Sequence, residues 1–143
     1  MLEGMSWLFW SLLSALFAAA TAVLAKIGVA GIDSNLATAI RTVVIVLFAW
    51  AIVAVTYSRG EIAKVTPRGW LFLVLSGIAT GLSWLCYFRA LQLGPASKVA
   101  PVDKLSVVFV ILFAAAFLGE KLSALKLGGG LLIAAGAIAL VFG

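Results

Sequence analysis

Five apolar runs, each long enough to cross a bilayer, occupy almost all of this 143-residue chain. The hydrocarbon core is about 30 Å thick and a helix rises about 1.5 Å per residue, so one crossing takes about 20 apolar residues. The runs cover residues 6–25, 36–57, 69–93, 96–118 and 123–142. In lipid every backbone N–H and C=O must find a partner inside the protein, which leaves the α-helix for runs of this length. The expected fold class is therefore all-α: a multi-pass protein of the cell (inner or plasma) membrane, with residues 1–143 as a single transmembrane domain.

Composition agrees. Only 10% of residues are charged and 65% are hydrophobic, whereas a soluble domain carries about a quarter charged residues to solvate its surface. The chain opens Met1-Leu2-Glu3-Gly4-Met5, with an acid where a cleaved signal has basic residues. The run that follows is too long for a signal core, so it is expected to stay as the first helix. No soluble domain is expected within these residues.

The connections carry recognisable punctuation. Gly28, Gly31, Asp33 and Ser34 suit a turn in which Asp33 or Ser34 caps the second helix. Thr66 before Pro67 is a capping hydroxyl followed by proline at the first helical position. Trp70 suits an interfacial anchor. Gly94-Pro95 allows only a tight link, and Gly119-Glu120-Lys121 closes the fourth run. Small residues four apart (Ser14/Ala18/Ala22, Gly77/Gly81, Gly130/Ala134) mark faces where helix backbones approach closely. A faint echo at an offset of 63 residues aligns Lys26, Gly31, Ser34, Ala37 and Arg41 with Arg89, Gly94, Ser97, Ala100 and Lys104. It suggests two related helical hairpins.

Charges inside the runs are the informative exceptions. An ionisable side chain near the bilayer centre costs about 2.5–3.5 kcal/mol on insertion scales, so it marks a partner or a polar cavity. Arg41 lies in the second run, and Asp103 and Lys104 lie in the fourth. A long Arg or Lys can snorkel towards the interface, but a short Asp cannot. Sequence neighbours diverge by about 100° around a helix, so Asp103 and Lys104 are expected to face apart. Arg41 is the first candidate partner for Asp103. Two readings stay open, a buried ion pair that fixes helix packing and a pathway for a polar solute. Pro101 favours the second, because it cannot donate to the carbonyl of Ser97 and should bend the helix beside the charged pair. In the third run Trp84 and Tyr87 share a helical face, as do Ser83 and Tyr87, and they suit an aromatic cavity; Tyr87 and Phe88 equally suit interfacial anchoring. Lys26, Ser83 and Arg89 are secondary candidates.

Several chemistries find no residues here. There is no His and one Cys, Cys86, so no metal site and no disulfide within the chain is expected. The net charge of +5 comes from scattered Lys and Arg, which suits anchoring to anionic membrane lipid and gives no reason to expect nucleic acid. No nucleotide-binding loop and no nucleophile–base set appears, so neither ATP hydrolysis nor an intramembrane enzyme is expected, and no cofactor is implied.

The stretches Trp84-Leu-Cys-Tyr-Phe-Arg-Ala-Leu91, Gly94-Pro-Ala-Ser-Lys-Val-Ala-Pro-Val-Asp-Lys104 and Phe117-Leu-Gly-Glu-Lys-Leu-Ser123, with Lys26-Ile-Gly28 ending the first helix, resemble the EamA-type proteins of the drug/metabolite transporter superfamily. The resemblance covers the whole chain and implies one EamA-type repeat, half of the usual ten-helix transporter. The related small multidrug resistance proteins depend on a glutamate in their first helix. The first run, residues 6–25, has no acid, which leaves Asp103 as the carboxylate placed to couple transport.

Five crossings put the chain ends on opposite sides. The amino-terminal side carries Arg59, Lys64, Arg68, Lys121 and Lys126, and the other carries Lys26, Arg89 and Lys98. That small excess only mildly favours a cytoplasmic amino terminus, and so weak a bias suits dual topology. The expectation is a secondary transporter of small-molecule metabolites or drug-like solutes, acting as an antiparallel homodimer by alternating access. The embedded charges sum to +1 and hint at an anionic or zwitterionic solute. The alternative is an accessory or scaffolding membrane protein whose charges lock helices together.

Overall fold

The structure, a computed structural model, describes residues 3–57 and 60–143, with side chains from Trp7 onwards. Arg59, counted above among the loop cations, and the opening Met1 and Leu2 lie outside the described residues. Among the described residues six α-helices make five membrane-length spans: α1 (Glu3–Gly28), α2 (Ser34–Thr56), α3 (Pro67–Leu93), α4 (Ala96–Asp103), α5 (Ser106–Phe117) and α6 (Ala124–Phe142). α4 and α5 together form one span, Ala96–Phe117. The all-α, five-span architecture read from hydropathy is the one found. Large side chains such as Leu47, Phe48, Phe72 and Leu132 are exposed along the spans, as expected where lipid is the solvent.

Local chemistry explains the ends. Asp33 is the residue that caps α2, its Oδ1 accepting from the backbone N–H of Asn35 (2.8 Å) and Leu36 (3.2 Å). Thr66 Oγ1 accepts from Gly69 N (3.1 Å) at the start of α3, and Ser123 Oγ from Lys126 N (3.2 Å) at the start of α6. Gly31 and Gly119 adopt φ of 77° and 67°, a left-handed conformation that costs other L-residues about 1–2 kcal/mol.

The fourth span does more than bend. It breaks at Lys104–Leu105, where Lys104 N donates to Pro101 O (3.1 Å), Leu105 N to Val102 O (3.0 Å), Val107 N to Lys104 O and Val108 N to Leu105 O (both 3.0 Å). These three-residue steps are a tightened 3₁₀ passage. It follows Pro101, which supplies no N–H to the α-helical ladder.

The chain forms two compact units. One contains α1 as far as Lys26 together with the chain from Leu93 onwards; in it α4 and α5 pack against α6. Gly130 is buried there, and a Cβ at this position would lie 3.3 Å from Ile111 Cδ1 and 3.9 Å from Val108 Cγ2. Ala134 is half-buried one turn further on. Lys26 Nζ donates to Gly94 O (2.8 Å) and Lys98 Nζ to Val141 O (2.7 Å). Each lysine thus satisfies a carbonyl at the carboxyl end of another helix, where the dipole favours a cation. Lys98→Met is expected to cost about 1.5–3 kcal/mol, the range for a hydrogen bond to a charged group. Thermal unfolding in detergent checks this, and an unchanged midpoint would show the contact to be idle.

The other unit is Ile27–Gln92. The expected close packing at Gly77 and Gly81 is not made by this chain: both face open space, and a Cβ at either position would meet nothing within 4 Å. Four-residue spacing arises readily where Gly numbers 14, and spacing alone does not bring a neighbour.

Candidate functional site

In the second unit the buried face of α2 carries Ser34, Ala37 and Thr38, with half-buried Arg41 and Thr42 continuing it. These positions recur at three and four residues, so they stack on one side of the helix. Thr38 Oγ1 donates to Ser34 O and Thr42 Oγ1 to Thr38 O, both at 2.8 Å. The hydroxyls therefore find partners within their own helix. Arg41 stands seven residues into α2, about 10 Å along its axis.

At that depth the guanidinium meets α3. Arg41 Cζ lies 4.5 Å from the centre of the Trp84 ring and 5.2 Å from that of Phe88. Trp84 and Phe88 are four apart and share a face, nine and five residues before the end of α3. Their mean distance from that end matches the depth of Arg41. Tyr87, next to Phe88 in the chain, is half-buried. Phe88 is only 3% exposed, which rules out interfacial anchoring. Its four-residue spacing from Trp84 is the sequence signal for this role.

Magnitudes show what the rings do. An arginine at this depth costs about 2.5–3.5 kcal/mol on insertion scales. A cation–π contact returns about 0.5–1 kcal/mol when exposed and about 2 when desolvated, with tryptophan the strongest ring. The two rings thus offset much of the cost of the charge. They supply no hydrogen-bond acceptors, however, and the guanidinium has five N–H donors.

Three ion pairs occur among the described residues: Glu61–Lys64, Asp103–Lys104 (3.1 Å) and Glu120–Lys126 (3.1 Å). Asp103 and Lys104, expected to face apart, instead pair with each other. The α-helix ends at Asp103, and the flexible lysine stem swings its ammonium back to Oδ2. This pair, with Pro101, forms a polar feature at the break in the fourth span.

Lys26 serves Gly94 as described. Arg89 donates to Gln92 Oε1 (3.0 Å), and Gln92 Nε2 donates to Ile32 O, tying the end of α3 to the turn before α2. Ser83 is exposed on α3. An open groove of about 510 Å³ lies at the far end of α2, lined by Trp50, Val53, Tyr57, Glu61 and Val65 among others. Its walls are mostly apolar and its carboxylate is engaged by Lys64, so it offers a polar solute less than Arg41 does.

The profile described as the EamA-like transporter family matches residues 5–142. A Sinorhizobium sp protein named "Uncharacterized transporter in cobO 3'region" is 58% identical over 135 residues, covering 94% of this chain and 96% of that protein. No solved structure matches.

Proposed function

The chain belongs to the EamA-like transporter family, and from that premise we propose that it is a secondary transporter of small metabolites or drug-like solutes, working as a dimer by alternating access. It is a multi-pass membrane protein, and its family and its named relative point to a transporter rather than an enzyme. The observation that carries the proposal is Arg41: a cation at membrane depth, on the buried face of α2, held by two rings and, among the described residues of its own unit, by no carboxylate. Charges so placed are characteristic of solute pathways. The broken fourth span supports the same reading, since interrupted helices supply many transporters with free backbone groups and polar side chains. Pro101, Asp103 and Lys104 are the pathway residues proposed there, with Trp84 and Tyr87 beside Arg41.

The dimer proposal rests on the count of crossings and on loop cations that are nearly balanced between the two sides. An antiparallel pair, inserted into the inner or plasma membrane in both orientations, restores the inverted symmetry of a ten-helix transporter. Reporters active only in the cytoplasm or only outside it, fused to the carboxyl terminus, should both give signal; signal from one alone sinks dual topology. The alternative, an accessory or scaffolding protein, draws on the Asp103–Lys104 pair and the lysine contacts with helix-end carbonyls, all of which are structural at face value. Flux in proteoliposomes against a broad metabolite panel separates the two. Movement of at least one solute, reduced by Arg41→Gln, supports transport, and no movement of any solute supports the scaffold.

A further inference from the structure

We propose that Arg41 recognises the carboxylate of an organic monoanion with an aromatic or apolar body; the inference rests on the transport reading for its role, though not for its binding chemistry. The described cations of the Ile27–Gln92 unit divide sharply. Lys64 pairs with Glu61, Arg89 holds Gln92, and Arg68 lies 5.8 Å from the Phe72 ring at the start of α3. Arg41 alone of these cations sits on the buried face of α2, and no hydrogen-bond acceptor among the described residues of this unit takes its N–H groups.

Those nitrogens are not sealed in. Among the described residues no buried side-chain nitrogen or oxygen lacks a partner, so the unbonded guanidinium nitrogens are accessible to a ligand. Aromatic faces attract the cation without using its donors. The planar fork of the guanidinium matches a carboxylate with two parallel hydrogen bonds. One positive charge without an acid is balanced by one negative charge, which favours a carboxylate over a doubly charged phosphate ester. The rings of Trp84 and Phe88 beside it suit an aromatic or apolar body on the same solute.

The test holds the body of the ligand constant and changes its head. Hippurate, hippuramide and N-(2-aminoethyl)benzamide share a benzamide body and end in a carboxylate, a neutral amide and an ammonium. Calorimetric titration into the purified full-length protein in detergent should show hippurate binding at least about tenfold tighter than the other two. Phenylacetate and indole-3-acetate should bind as carboxylates too. Arg41→Gln should erase the preference. Arg41→Lys should keep part of it, as a point charge without the fork.

Equal affinity for the three heads, a preference surviving in Arg41→Gln, or no binding of any of the three carboxylates overturns the proposal. Binding of short-chain phosphatidylglycerol without any of these carboxylates also overturns it, and identifies Arg41 as a lipid-headgroup contact. If hippurate binds through Arg41 but labelled hippurate and the wider panel do not cross proteoliposomes, the transport reading fails and the carboxylate site stands. If neutral or cationic solutes cross and Arg41→Gln leaves their flux unchanged, the carboxylate site fails and the transport reading stands.

Discussion

Replacing Arg41 by methionine is expected to reduce transport at least about tenfold while leaving the protein as stable as before, or more so. Methionine keeps an unbranched stem of similar reach and discards the charge. The charge carries an insertion cost of about 2.5–3.5 kcal/mol. Against it stand two cation–π contacts, one to Trp84 and a weaker one to Phe88, together worth about 1.5–3 kcal/mol. The balance runs from near zero to about 2 kcal/mol in favour of methionine. A residue kept for packing behaves in the opposite way, because its removal strands its partners. Thermal unfolding measured beside flux separates the roles. A fall in stability of more than about 2 kcal/mol sinks the binding role and supports a structural latch.

Much of this fold is legible in the sequence, for physical reasons. Crossing length is fixed by bilayer thickness, so the five spans follow from hydropathy. The starts of α2 and α3 follow from capping chemistry at Asp33 and Thr66, where one side-chain oxygen accepting from one or two backbone N–H groups decides the outcome. The embedded charges are visible as violations of the apolar pattern. Their partners are not, because partnership depends on rotation and depth between segments far apart in the chain. Arg41 meets Trp84 and Phe88, 43 and 47 positions later. Asp103 instead meets its own neighbour, through a break whose position depends on how the backbone responds to Pro101.

The lysines teach the same lesson. By sequence Lys26 and Lys98 are loop charges that orient the chain, but each donates to a carbonyl at the end of a helix distant in sequence. Nothing in their local sequence distinguishes a cation anchored to lipid from one that closes a helix end. Gly77 and Gly81 show the converse. Their spacing matches a packing motif more closely than that of Gly130, yet Gly130 has the neighbours.

The Asp103–Lys104 pair carries the second large effect, and its variants should be unequal. Breaking an ion pair in a low-dielectric setting leaves one charge uncompensated, which costs far more than removing both. Asp103→Asn leaves a lysine, whose long stem can carry the ammonium towards the interface. Lys104→Gln leaves an aspartate, which is too short to escape. The aspartate-stranding variant should therefore lose the more, up to about 2.5–3.5 kcal/mol. The double variant should recover most of what Lys104→Gln loses, since no charge then remains at the break. Thermal unfolding of all three in detergent and in lipid nanodiscs gives the coupling energy. Additive losses would show that the pair contributes nothing as a pair. A double variant that recovers stability but has lost flux assigns these residues to the pathway. One that recovers both restricts them to holding the broken span in the membrane.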